Sequence, residues 1–254
     1  MLYHLGFAPE QITGTAHAIL CGDPGRVPSI AAKLEAPAFL AGNREYTSWT
    51  GRLSGAGVIV ISHGIGGPST AICAEELALC GVKTMIRVGT CGGMQLPVLS
   101  GDLVIANAAI RQEGTSLHYL PVEFPAVSDF SVTAALKSAA ENILETCPGP
   151  RRGVHTGVVQ CKDSFYGQHD PDGSPVGYEL KDKWQAWLKG GCLASEMETA
   201  ALYTVAAARG IRAGCVLHVL WNQEREKAGL DNPTVTDTGH AVDVAVEAMR
   251  RLIG

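Results

Sequence analysis

The stretch "TMIRVGTCGG", Thr84 to Gly93, is an apolar run that ends in glycines and carries one arginine inside it. Its first half predicts a short buried strand, Thr84–Val88, and its second half a glycine turn, Gly89–Gly93. A guanidinium in an apolar layer needs a counter-charge. Arg87 therefore predicts an anion beside a central strand.

Similar runs lie on both sides of it: "AHAILC" (Ala16–Cys21), "GVIVIS" (Gly57–Ser62), "DLVIANA" (Asp102–Ala108), "GVVQ" (Gly157–Gln160) and "GCVLHVL" (Gly214–Leu220). Several are almost continuously apolar, as strands covered on both faces are. Helical patterns fall between them, at Pro68–Cys80 closed by Gly81, Ser131–Glu145, Ser195–Arg209 closed by Gly210, and Gly239–Leu252. The alternation predicts an α/β fold, a single domain over residues 1–254 with a mixed central β-sheet flanked by helices. One long polar connection, Gly167–Lys183, is rich in Gly and Pro. A connection of that length is functional or mobile.

Bulk composition narrows the function. With 46% hydrophobic residues and a net charge of −5, the 254-residue chain is an ordinary globular protein, not a general nucleic-acid or membrane-surface binder. No run approaches ~18 apolar residues, so no spanning helix is expected. The start, "MLYHLGFAPEQ", lacks the basic and apolar segments of a signal peptide. Eight cysteines without any C-x-x-C spacing predict reduced, mostly buried thiols in a cytoplasmic protein.

Three glycine turns follow strands: "CGDPGRV" (Cys21–Val27), "HGIGGPST" (His63–Thr70) and "GTCGG" (Gly89–Gly93). Glycines there let backbone N–H groups approach an anion. None is a nucleotide loop. There is no G-x-x-x-x-G-K-[ST], and the nearest approach to G-x-G-x-x-G, from Gly64, has Ser69 in last place. Arginines accompany the glycines: Arg26 after Gly22, Arg87 before Gly89, and Arg44 in the polar turn of "NREYTSW". Forked guanidiniums with the Thr90 hydroxyl suit a phosphate dianion.

In chain order, "HLG", "GDPGRV", "NREYTSW", "GIGGPST", "IRVGTCGG", "EGTSLHYLPVEFPAV", "DSFYGQH" and "ASEMETAALYTVAAARG" resemble the nucleoside phosphorylase family, and within it the uridine branch. "VVQCKDSFYGQH" and "WNQER" look like the version found in Gram-positive bacteria. The resemblance implies reversible phosphorolysis of uridine to uracil and ribose 1-phosphate, with deoxyuridine and thymidine left open as substrates. It implies inorganic phosphate as co-substrate and no organic cofactor. Phosphate would be held at Gly22, Arg26, Arg87 and Thr90, with Arg44 reaching in from a neighbouring subunit. Ribose would meet Thr90, Met197 and Glu198, with the neighbour's His4. The base would lie on Phe165 with its edge at Gln168. The catalytic set would be Arg87, Thr90 and Glu198. Family members are dimer-based, commonly hexamers, and some hold a monovalent cation, potassium, at positions matching Glu45, Ile65 and Ser69.

The chemistry suits such residues. Phosphate is already anionic, so the tasks are positioning it, steadying a cation-like sugar and accepting charge on the departing pyrimidine. The pattern Ser195-x-x-Glu198 is also a capping box, which competes with a ribose role for the same carboxylate. Gln168 offers an acceptor for N3–H and a donor for a carbonyl, the complement of a uracil edge. The family's usual loop arginines are missing. His169 is the expected substitute at O4, and the direction of Arg225 is not legible. A purine phosphorylase on this fold would need a donor, typically Asp, in the loop after the last strand, and Leu220–Leu230 has no Asp, only Asn222 and two Glu. A nucleosidase or a nucleoside sensor would leave the arginine set idle.

Overall fold

The computed structural model describes residues 1–147 and 152–254. Among these described residues ten strands form a single sheet: β1 (His17–Cys21), β2 (Glu35–Asn43), β3 (Tyr46–Leu53), β4 (Ala56–Ser62), β5 (Thr84–Gly93), β6 (Leu103–Gln112), β7 (Ala126–Val127), β8 (Val154–Lys162), β9 (Ala194–Glu196) and β10 (Arg212–Asn222). The helices are α1 (Val27–Ala31), α2 (Gly67–Leu79), α3 (Phe130–Thr146), α4 (Phe165–His169), α5 (Gly177–Lys189), α6 (Thr199–Arg209), α7 (Gln223–Lys227) and α8 (Gly239–Ile253). The sheet runs β10-β6-β8-β9-β5-β1-β4-β3-β2, with β7 appended to β6. Strand β10 also pairs with β5, so β5, β10, β6, β8 and β9 close into a ring, from which β1, β4, β3 and β2 extend. The α/β class with a mixed sheet is as the sequence predicts.

The continuous apolar runs arise because side chains alternate between two cores. Ala18 and Leu20 join Ile59, Ile61 and Met85 on the face covered by α2 and α6. Ile19 and Cys21 join Val58, Val60, Ile86 and Val88 on the face covered by α1, α3 and α8. By this alternation Arg87 shares the face of Met85, where α6 begins.

Four expectations need correction. The "GTCGG" segment is not a turn but the second half of β5. Up to Val88 this strand pairs with β1, and its end, Gly92 and Gly93, pairs with Ser195 and Ala194 of β9. Helix α6 starts at Thr199 rather than Ser195, because Ala194–Glu196 is needed as the strand that closes the ring. The polar Gly167–Lys183 connection is mostly ordered into the end of α4, a 3-10 turn at Pro171–Gly173 and the first part of α5. Asp170 caps that turn through Gly173 N–H, which explains why its Gly, Pro and Asp read as loop. The fourth is an omission, the hairpin of β2 and β3 around Arg44 and Glu45, whose first strand is largely exposed and therefore lacks an apolar pattern. Helices α2, α3 and α8 match their predicted spans to within a residue, with Asp129 capping α3 through Val132 N–H. All eight cysteines are free, six of them buried. Among the described residues no helix is long and apolar enough to cross a membrane.

Candidate active site

Where β5 leaves β1 and joins β9, the sheet opens over a cavity of about 860 Å³. Gly22 and Arg26 reach it from behind β1, Arg87 and Thr90 from β5, Met197 and Glu198 from behind β9, and Phe165, Gln168 and His169 from α4 behind β8. Glu45, Ile65 and Ser69 line it from the hairpin turn and the α2 entry. His4 and Arg44 do not line it. They sit together on an outer ridge, where Arg44 lies 5.9 Å from the Tyr3 ring and Asn43 Nδ2 donates to the His4 carbonyl at 2.8 Å. The Glu76 carboxylate fixes His4 by accepting its Nδ1–H at 2.6 Å and two backbone N–H groups.

The anion nearest to Arg87 within the chain is a pair of carboxylates. Its Nη2 donates to Glu198 Oε2 at 2.5 Å and to Glu196 Oε2 at 3.2 Å, and all three side chains are buried. On the other side its Nη1 donates to His63 Nε2 at 3.2 Å. A guanidinium has no acceptor, so that nitrogen of His63 is unprotonated. Burial, then the Arg87 charge, holds His63 neutral, well below its usual range. Gly89 is there for space, since a Cβ on it would stand 2.7 Å from Arg87 Nη2. At the cavity, buried Arg87 Nε and Arg26 Nη1 have no hydrogen-bond partner among the described residues, and each is available to an anion.

Glu196, absent from the sequence reading, resolves the competition over Glu198. Its carboxylate accepts the backbone N–H of Glu198 and of Thr199 at 2.9 to 3.0 Å, so it caps α6 in place of a Ser195–Glu198 box. Glu198 instead accepts Gly66 N–H at 2.7 Å and faces the cavity. Burial raises its pKa, Arg87 opposes that, and Glu196 adds to it. The spacing Glu196-x-Glu198 was the available signal. Its reading needed β9, which three residues cannot announce.

The base side holds further surprises. Phe165 and His169 stack with ring centroids 4.2 Å apart, and Trp221 lies 5.9 Å beyond. Burial, then the Lys162 charge, lowers the His169 pKa, so His169 is a neutral group there. Arg225 is committed elsewhere, its Nε donating to Asp231 O and its Nη1 to Leu96 O. It is no replacement for a base-binding arginine. The cation that the sequence reading missed is Lys162, buried at the end of β8, with its Nζ donating to Ser195 Oγ at 2.7 Å. Burial lowers its pKa, and Glu196 and Glu198 oppose the shift.

An α/β ring that gathers arginine, threonine and glutamate around one cavity, with aromatic and amide groups beside them, has the makings of a glycosyl-transferring phosphorylase. The chain belongs to the phosphorylase superfamily, whose profile it matches over residues 16–253. It is 52% identical over 251 residues to a uridine phosphorylase of Treponema pallidum, covering 99% of this chain and 94% of that one. It is 42% identical to a uridine phosphorylase of Salmonella typhimurium, covering 99% and 98%. Further away, it is 39% identical to a guanosine phosphorylase of Halorubrum lacusprofundi, covering 80% and 76%.

Proposed function

We propose that this protein is an enzyme of one catalytic domain, residues 1–254, that carries out the reversible phosphorolysis of uridine to uracil and ribose 1-phosphate. The observation that carries the reading is the order of the strands. Side by side, β1, β5, β9 and β8 present the phosphate set, then Arg87 and Thr90, then Met197 and Glu198, then the α4 residues. At ~4.8 Å per strand these four span roughly 14 Å, about the length of a nucleoside with a phosphate beside it.

In this arrangement Arg26, Arg87, Thr90 and the Gly22 backbone hold phosphate, with Arg44 supplied by a second subunit. Glu198 accepts from ribose hydroxyls, Met197 covers the sugar, and His4 of the second subunit closes it. Phe165 stacks on the base, Gln168 reads its edge, and His169 donates to O4. The reaction needs only inorganic phosphate as co-substrate and no organic cofactor. The outward position of His4 and Arg44 supports a dimer-based homo-oligomer, a hexamer in the fullest form. Free cysteines support a cytoplasmic location.

A potassium ion fits the Glu45–Ser69 corner. The Glu45 carboxylate and Ser69 hydroxyl are 2.7 Å apart, and its own backbone N–H, then Ser69, lowers the Glu45 pKa and keeps it anionic. Hard oxygen donors suit such an ion. Ile65, exposed beside them, would contribute from the same rim.

The deciding experiment measures base release from uridine, thymidine, inosine and adenosine, each with and without inorganic phosphate. Phosphate-dependent uracil release with purines inert is expected. Purine release, or release without phosphate, would overturn the reading.

A further inference from the structure

Lys162 closes β8 where the cavity meets a smaller hollow of about 420 Å³, and it lines both. From its ammonium a chain of hydrogen bonds runs toward the base side. Its Nζ donates to Ser195 Oγ at 2.7 Å, Ser195 Oγ donates to Gln168 Oε1 at 2.6 Å, and Gln168 Nε2 donates to Gln223 Oε1 at 2.9 Å. Of this chain, the reaction chemistry described above uses only Gln168.

Its polarity is dictated from the lysine end. An ammonium has three hydrogens and no lone pair, so Ser195 must accept from it. Ser195 is 3% exposed, and its one hydrogen is left to point at Gln168. Were the Gln168 amide turned over, that hydrogen would face an NH₂ group and be buried without an acceptor, at real cost. Gln223 imposes no such direction, because its own amide can turn with its partner.

The orientation matters for what Gln168 can read. With Oε1 bound to Ser195 and Nε2 bound to Gln223, each end keeps one free capacity: a lone pair on Oε1 and a hydrogen on Nε2. That pair matches the N3–H and carbonyl of an oxo-pyrimidine. On the C4 side, where uracil O4 has a second lone pair for Nε2 beside the one His169 takes, cytosine presents the reverse, an acceptor at N3 and a donor at the amino group. An amide free to turn over would accept both bases.

We propose that Lys162 is a positioning residue that sets base specificity, fixing the Gln168 amide through Ser195 so that the site takes uracil and refuses cytosine. This rests on the reading of the cavity as a pyrimidine nucleoside site. The test compares kcat/KM for uridine and cytidine in wild type, Lys162→Met and Ser195→Ala. Each variant should lower the uridine-to-cytidine ratio at least tenfold, while the KM for phosphate stays within twofold. Combining the two should lower the ratio no further than either alone. A merely structural role would reduce both substrates together. A ratio within threefold of wild type in folded Lys162→Met overturns the proposal, and Ser195→Ala applies the same criterion should Lys162→Met not fold. Wild-type protein that releases no uracil would instead overturn the functional reading, and the specificity proposal with it.

Discussion

Arg87 and Glu198 meet at 2.5 Å with 3% and 8% of their side-chain surfaces exposed, so the cation of the central strand is neutralised before any substrate arrives. The contact joins the groups assigned to phosphate and to ribose in a single unit. Removing one partner of such a buried pair strands the other, which costs about 3–5 kcal/mol. Arg87→Ala should therefore both lower the melting temperature and abolish phosphate-dependent uracil release. Glu198→Gln separates the two effects. Gln can still accept Gly66 N–H and Glu196 still balances the Arg87 charge, so the fold should persist with a smaller loss of stability, while kcat/KM for uridine falls on the order of 10²-fold, the loss typical of one polar contact to the reacting group. Full activity in Glu198→Gln would remove Glu198 from the ribose role.

Gly89 offers a way to move Arg87 without replacing it. An added Cβ would sit 2.7 to 2.9 Å from the two terminal nitrogens and central carbon of the guanidinium. Gly89→Ala should push Arg87 off its carboxylates, destabilise the protein by about 1–3 kcal/mol and raise the KM for phosphate. Unchanged phosphate kinetics in this variant would mean that the guanidinium has room to relocate and that the glycine serves only the strand.

Glu196 should matter to stability through the start of α6. It satisfies the N–H groups of Glu198 and Thr199, which a helix N-terminus otherwise leaves open. Glu196→Ala should cost about 2 kcal/mol, roughly a 4–8 °C fall in melting temperature for a chain of this size. A thermal scan that showed no fall would mean that water caps the helix equally well.

What the sequence disclosed depended on how far apart the determining residues lie. Apolar runs such as Ala18–Cys21 and Val58–Ile61 marked strands, because both of their faces are buried. Gly81 and Gly210 marked helix ends through purely local chemistry. Strand β9 was not legible. Its three residues are held by pairing with Gly92, Gly93 and the end of β8, roughly 100 and 35 residues away in sequence. The site followed the same rule. Motif residues such as Arg87, Glu198 and Gln168 were legible one by one, whereas Lys162, Glu196 and His63 gain their meaning only from contacts across the sheet.

His63 supplies a prediction in pH. Its Nε2 accepts from Arg87, its Nδ1–H meets Thr70 Oγ1 at 3.1 Å, and Thr70 in turn donates to Gly66 O at 3.0 Å. The folded imidazole therefore stays neutral, whereas an unfolded one takes up a proton below about pH 6.5. Above that pH both states are neutral and His63 adds no pH dependence. As the pH falls below it, the unfolded state gains a proton that the folded state refuses, and stability drops by about 1.4 kcal/mol per pH unit. Burial lowers the pKa of His17, His169 and His218 as well, so the wild-type slope exceeds that of one proton. In His63→Gln the side-chain oxygen can accept from Arg87 and the amide hydrogen can meet Thr70, with nothing left to titrate. Urea unfolding at pH 7, 6 and 5 should show the variant losing less stability than wild type, by about one proton's worth of slope. Equal slopes would mean that folded His63 accepts the proton after all, and that the Arg87 seat opens when it does.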